Sequence, residues 1–406
     1  MAPEIKPFKI AVSDEKLQHL KDKLAASTLP QEVDFSDDWS YGVPRADICR
    51  LANRWQGGYD WRAEETKLNK VPQFTTKVNI DGFGELNMHF VHQRSSQPGS
   101  IPLLFCHGWP GSFLEAVKLL PLLSDPKQGQ SFHVVAPSLP NFGFSDGVKK
   151  RGFSIPQYAE AVHKVMLNLG YDKYVTQGGD WGFIITRMLA VQYPQHSLAT
   201  HLNFVRVAEP PSFKKNPWQY IMHAISPYDA QEKAGLKRTY WFREEGFGYN
   251  LLQSTKPSTL GFGLADSPVA LLSWIYEKLH DWTDEYPWTD DEALTWISIY
   301  YFSTAGPEAS VRIYYENMHS QAVHTKKGLE WVGSTKLGLS WFPKDLLVPP
   351  RTWGRTLGPV CFENFHKDGG HFAAHERPEE LADDLKRMFG QGGGAYDITQ
   401  KIALSK

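Results

Sequence analysis

Apolar residues recur along this chain in two rhythms, and the changes between them mark its organisation. Leu17, Leu20 and Leu24 fall on one helical face that Ser13, followed by Asp14 and Glu15, is suited to start and Pro30 to end. A second helical pattern surrounds Leu51 and Trp55. No strand pattern occurs before about residue 72, so this segment is expected to wrap the outside of the core domain. Runs at 74–80 and 86–92 then read as strands on either side of a turn beginning Asp81-Gly82. Continuous apolar runs at 102–106 and 132–136 read as buried strands, with a helix at 112–120 stopped by Pro121 and another at 155–169. Tyr174-Val175-Thr176 leads through glycines into a helical stretch at 183–189, and a further strand is predicted at 201–205. Strand and helix in alternation call for a mostly parallel sheet with helices on both faces.

The alternation stops near Arg206. Residues 207–327 are helical and aromatic, with Trp218, Trp241, Trp274, Trp282, Trp288 and Trp296, and are interrupted by Pro210-Pro211, Pro257 and Pro287. They read as a helical lid inserted into the sheet domain. Strand patterns return at 336–342 and 360–365, and a last helix, 379–389, follows Pro378. The tail from Gly392-Gly393-Gly394 onward is predicted to be mobile. The expected division is a wrapping segment 1–72, a core of 73–206 and 328–390, a lid 207–327 and a tail 391–406.

Composition narrows the possible functions only modestly. Net charge is −2 over 406 residues, which gives no reason to expect nucleic acid or an anionic membrane as a partner. Fourteen tryptophans and 13% aromatics suit an aromatic-lined cavity, or simply a bulky core. Cys49, Cys106 and Cys361 lie far apart with no CxxC pair, which fits a reducing compartment. Residues 1–10 have neither signal-peptide nor anchor character, and the ending Ser405-Lys406 is not the peroxisomal order. A cytoplasmic location is the expectation.

The candidate chemistry centres on Gly178-Gly179-Asp180-Trp181-Gly182. A strand passing through a glycine-flanked residue into a helix is the context of a nucleophile elbow, where serine usually stands. An aspartate there makes an ordinary alkyl ester if it attacks a saturated carbon, which points to epoxides or alkyl halides. Asp180 taken alone is equally suited to cap the following helix. An orienting acid and a histidine are needed next, in that order. Asp345 follows the strand at 336–342, and His371 follows the one at 360–365. His371 would take a proton from the water that attacks the ester, with Asp345 holding the imidazole. Asp345 alone also reads as a surface acid. His371 and His375, with Glu376 beside them, could suggest zinc, but the His-Glu-x-x-His glutamate and a third ligand are lacking. Neither metal nor cofactor is expected. For the oxyanion, the candidate donors are the Trp181 N–H and the Trp109 N–H of His107-Gly108-Trp109-Pro110.

Taken together, these signatures resemble the microsomal-type epoxide hydrolases, closest to soluble fungal members. The resemblance spans Pro7-Phe8 to about Phe389 and rests on Tyr59-Asp60-Trp61-Arg62, Pro72-Gln73-Phe74 and His107-Gly108-Trp109-Pro110-Gly111-Ser112-Phe113. It continues through the aspartate elbow, Thr255-Lys256-Pro257-Ser258-Thr259, Phe342-Pro343-Lys344-Asp345 and Gly370-His371-Phe372. It implies an α/β-hydrolase fold, a small apolar epoxide and water as reactants, and a homodimer. It also implies two lid tyrosines holding the epoxide oxygen, matched by Tyr249 and Tyr314. A haloalkane dehalogenase shares the aspartate elbow, but a leaving halide needs N–H donors and no proton, which would leave paired tyrosines idle. A non-catalytic receptor on the same fold need not keep nucleophile, acid, base and both phenols together.

Overall fold

The computed structural model of the chain describes residues 4–125, 129–320 and 323–404. Nine strands among them form one sheet: β1 (Ile5–Pro7), β2 (Gln73–Ile80), β3 (Gly84–Gln93), β4 (Ile101–Cys106), β5 (Phe132–Pro137), β6 (Tyr174–Gly178), β7 (Ser197–Leu202), β8 (Lys336–Trp341) and β9 (Val360–Phe365). Their order is β1-β2-β3-β5-β4-β6-β7-β8-β9. The first four in this order pair antiparallel, and from β5 onward every pairing is parallel. Every residue of β4, β5, β6 and β7 is buried, as a parallel sheet covered by helices demands. β2, near the antiparallel edge, carries the exposed Lys77 and Asn79 between buried neighbours.

Most expected elements fall where the hydrophobic rhythm puts them, and four departures alter the picture. β1 lies inside the wrapping segment and adds an edge to the sheet through Ile5 opposite Thr76; three residues are too short to show alternation. The helix expected at 112–120 is two, Leu114–Val117 and Leu119–Ser124. Pro121 sits in the first turn of the second, where an amide has no intrahelical partner, so it is accommodated and does not end the helix. β7 spans Ser197–Leu202 rather than 201–205, because Tyr174 to Gly178 of β6 pair with Ser197 to Leu202. The tail is also not loose. It forms a helix, Tyr396–Ala403, that buries Thr399 and Ile402, and the Thr399 hydroxyl donates to the Phe389 carbonyl at 2.7 Å. Ser405 and Lys406, and the first three residues, lie outside the described residues.

Between β7 and β8 the described residues contain helices and no strand, from Pro217–Ile225 to Val323–Leu329. This inserted block is tied to the N-terminal segment, whose helices are Asp14–Ala25, Arg45–Gly57 and Trp61–Leu68. Arg54 forks onto both oxygens of Asp291 at 2.9 Å, Arg50 meets Asp290, and Lys23 meets Asp266. The Trp39 ring stacks on His280 with centroids 3.5 Å apart. No helix among the described residues is long and apolar enough to cross a membrane.

Candidate active site

The elbow forms because its glycines allow backbone contacts that no other residue permits. A Cβ on Gly182 would lie 1.9 Å from the Cys106 carbonyl oxygen, and one on Gly178 would lie 2.4 Å from that of Gly182. β6 and the helix Asp180–Gln192 are thereby brought together at a tight turn. Asp180 itself has φ of 47°, a left-handed conformation that costs a non-glycine residue about 1–2 kcal/mol. Gly179 takes the cap position, so Asp180 is the first residue of the helix and not its cap. Its carboxylate is directed to the Trp109 loop and to His371.

The carboxylate makes two contacts there. Its Oδ1 accepts from the Trp109 N–H at 2.7 Å, and its Oδ2 lies 3.4 Å from His371 Nε2. Gly108 permits the first, since a Cβ there would come within 2.1 Å of Asp180 Oδ1. Trp181 is the second residue of its helix, so its N–H belongs to the first-turn amides without an intrahelical partner. On the far side of His371, Nδ1 is 2.6 Å from Oδ1 of Asp345, which is buried and also accepts from the Leu346 N–H at 2.7 Å. β8 and β9 end side by side and deliver the acid and the histidine, with Lys344 bridged to Gly370 beyond them. Burial alone would lower the His371 imidazole, but the charges and hydrogen bonds of Asp345 and Asp180 outweigh it and raise it to about 10.

Aromatic rings close the space above Asp180. Tyr249 stacks on Trp109 with centroids 5.3 Å apart and meets Tyr314 edge-on at 5.9 Å, while Tyr314 stands edge-on to Trp181 at 4.8 Å. Burial, with the Asp180 charge adding to it, drives both phenols well above the usual tyrosine range. The Tyr314 hydroxyl and the Trp181 indole N–H are buried and make no well-formed hydrogen bond. Tyr315 points elsewhere, its hydroxyl accepting from Arg151 at 3.1 Å. The structure thus gathers Asp180, Asp345, His371, Tyr249, Tyr314, Trp109 and Trp181 into one place.

Other groups at the site are not evident from the sequence patterns. Trp282 packs edge-on against His371, and its carbonyl accepts from the His371 N–H at 2.7 Å. Glu115 is buried beside the Trp109 loop, and burial pushes its carboxyl up to about 8. Its position two residues beyond Gly-Ser-Phe is the only sequence clue to it. Glu376, pushed by burial to about 7, accepts from the Asp284 N–H at 3.0 Å. His375 does not face His371. Its Nε2 lies 2.8 Å from Glu292 and 3.2 Å from Lys118. Among the described residues no group of three or more His, Cys, Asp or Glu is arranged to hold a metal ion.

Comparison with known proteins bears on the same assembly. Residues 5–116 match the family described as epoxide hydrolase N terminus, and residues 101–225 match the alpha/beta hydrolase fold. A putative epoxide hydrolase of Stigmatella aurantiaca is 40% identical over 95% of this chain and 85% of its own length. Epoxide hydrolase 1 of Sus scrofa is 34% identical over 95% of this chain and 88% of its own. The solved structure of Aspergillus niger epoxide hydrolase superimposes with a TM-score of 0.82 at 33% identity, covering 99% of this chain and 97% of that one. With its aspartate elbow, its acid–histidine pair and these end-to-end likenesses, the chain belongs to the epoxide hydrolase family of the α/β-hydrolase fold.

Proposed function

We propose that this protein hydrolyses small apolar epoxides to vicinal diols through a covalent ester on Asp180. The observation that carries the reading is one carboxylate with a histidine–acid pair behind it and two buried phenols near it. Trp109 occupies Oδ1, so Oδ2 is the oxygen that attacks the epoxide carbon. The carbon–oxygen bond of the ring breaks, and the alkoxide takes a proton from Tyr249 or Tyr314, phenols that burial keeps protonated. Esterification removes the Asp180 charge, so His371 loses one of the two carboxylates that hold its proton, gives that proton to the phenolate through solvent and becomes a base. Water then gives a proton to Nε2 and attacks the ester carbonyl, and the Trp109 and Trp181 amides take the oxyanion. Collapse breaks the bond between the ester carbon and the alkoxy oxygen, which takes the hydroxyl proton of the intermediate, so the diol leaves and the Asp180 carboxylate is restored beside the His371 imidazolium.

In this reading residues 207–327 are the lid that supplies the phenols, residues 1–72 hold it against the core of 73–206 and 328–390, and residues 391–406 follow as a tail. The same reading includes a cytoplasmic location and a homodimer, the latter checked by light scattering of the purified chain. The direct test is intact-protein mass spectrometry of His371→Gln exposed to styrene oxide. An adduct of the whole epoxide mass on Asp180 is expected, since the ester forms and its hydrolysis lacks a base. A variant that forms no adduct, or forms it elsewhere, overturns the mechanism.

A further inference from the structure

The loop that aims the Trp109 amide at Asp180 is held from the inserted helices. Helix Asp290–Tyr301 buries both Trp296 and Tyr300. The Trp296 indole N–H donates to the Pro110 carbonyl at 2.6 Å, and the Tyr300 hydroxyl donates to the Gly111 carbonyl at 2.5 Å. These are the two carbonyls immediately after Trp109, so both anchors act within two residues of the oxyanion donor. Glu115 is buried against the same loop from the core, and its own N–H donates to the Ser112 carbonyl at 3.1 Å. Its carboxylate lies directly over Gly111, where a Cβ would come within 1.7 Å of Oε1. Trp109 itself spends its N–H on Asp180 and its ring on Tyr249 and Tyr314. Helix Asp290–Tyr301 is in turn fastened to the N-terminal segment through Asp290 and Asp291.

We propose that Trp296 and Tyr300 are positioning residues for ester hydrolysis: the inserted helix, through these two donors, sets the direction of the Trp109 N–H on which the oxyanion forms. Neither side chain touches the reacting atoms; each acts through the backbone of the 107–112 loop. The consequence is selective. Alkylation needs the Asp180 carboxylate and a phenol, whereas hydrolysis places new negative charge on Oδ1, the atom that the Trp109 amide serves. In the first step the same amide only orients a carboxylate whose charge is being lost, so a slackened loop penalises the second step far more than the first.

This inference rests on the proposed ester mechanism, and the experiment separates the two. Ester formation and decay on Asp180 are followed by rapid-quench intact mass for Tyr300→Phe, which removes one hydroxyl and keeps the ring. Trp296→Phe serves as the second variant, and circular dichroism and the amplitude of ester formation report the folded, competent fraction. Ester decay is expected to slow on the order of tenfold in each variant, less than the loss on deleting an oxyanion donor outright. Ester formation is expected to hold within about twofold, so that the ester accumulates in the steady state. Normal decay in both variants overturns the positioning role while leaving the ester mechanism intact. Equal slowing of both steps overturns it as well, because a merely loosened fold would produce that result. Absence of any Asp180 ester in the parent enzyme overturns the underlying mechanism instead.

Discussion

His371 stands between two carboxylates, Asp345 at 2.6 Å and Asp180 at 3.4 Å, and the two do different work. Asp345 is buried and fixed by the Leu346 amide, so its influence is constant through the reaction. In the proposed mechanism Asp180 is the variable partner, charged at rest and neutral as an ester. The raised proton affinity of His371 in the resting site is therefore expected to drop when Asp180 loses its charge. Asp180→Asn imitates that loss. In NMR titration the His371 imidazole of the parent should stay protonated well above neutral pH, and that of Asp180→Asn should titrate at a distinctly lower pH. Identical titration in the two proteins would show that Asp180 does not govern the switch from imidazolium to base.

At the scale of elements, close approaches of backbone decide what the hydrophobic rhythm leaves open. The C-terminal tail is an example. Its glycines suggest mobility, yet Gly394 packs where a Cβ would lie 2.1 Å from the Cys361 carbonyl, and Gly393 stands equally close to that of Arg387. The Ala395 N–H then donates to the Met388 carbonyl at 2.9 Å, which delivers the helix Tyr396–Ala403 onto the domain. Ile402 is buried there, and burying an isoleucine side chain contributes about 1.5–3 kcal/mol. A chain ending at residue 394 is accordingly expected to melt several degrees lower than the full chain by calorimetry. An unchanged melting temperature would mean that the terminal helix adds nothing to the domain.

Across the whole molecule the buried titratable groups divide by sign. Burial lowers His89 to about 3 and His92, His107, His163 and His201 to about 4. Below the usual histidine range the unfolded chain binds protons that the folded one refuses, so these five erode stability as pH falls from about 6.5. Glu115, Glu376 and His371 are raised, to about 8, 7 and 10. For them the folded state holds protons that the unfolded state has released. Their contribution is complete below the unfolded values and is lost as pH rises through the folded ones. Stability is thus expected to peak near about pH 6.5 and to decline toward both pH 4.5 and pH 10, read as the urea midpoint. A midpoint that still rises between about pH 7 and 9 would contradict this assignment of signs.

The sequence by itself determined the alternating sheet and the helical stretch after Arg206, which are written locally, and it singled out Asp180, Asp345 and His371 as candidates through their order after successive strands. Periodicity follows burial one element at a time, and a glycine-flanked aspartate between strand and helix needs no distant partner to be noticed. It also distinguished Asp180 from a capping residue only in combination, whereas the structure does so directly, by placing Gly179 at the cap. Tertiary structure alone decided the rest. β1 joins the sheet through a pairing some 70 residues away in the chain, and such a three-residue strand carries no rhythm of its own. Glu115, Trp296 and Tyr300 look like ordinary surface or core text until folding sets two donors from the insertion against the Pro110 and Gly111 carbonyls, 186 and 189 residues away in the chain. Hydrogen bonds between a loop and a distant helix leave no periodic trace, and so the geometry that aims the Trp109 amide is visible only in three dimensions.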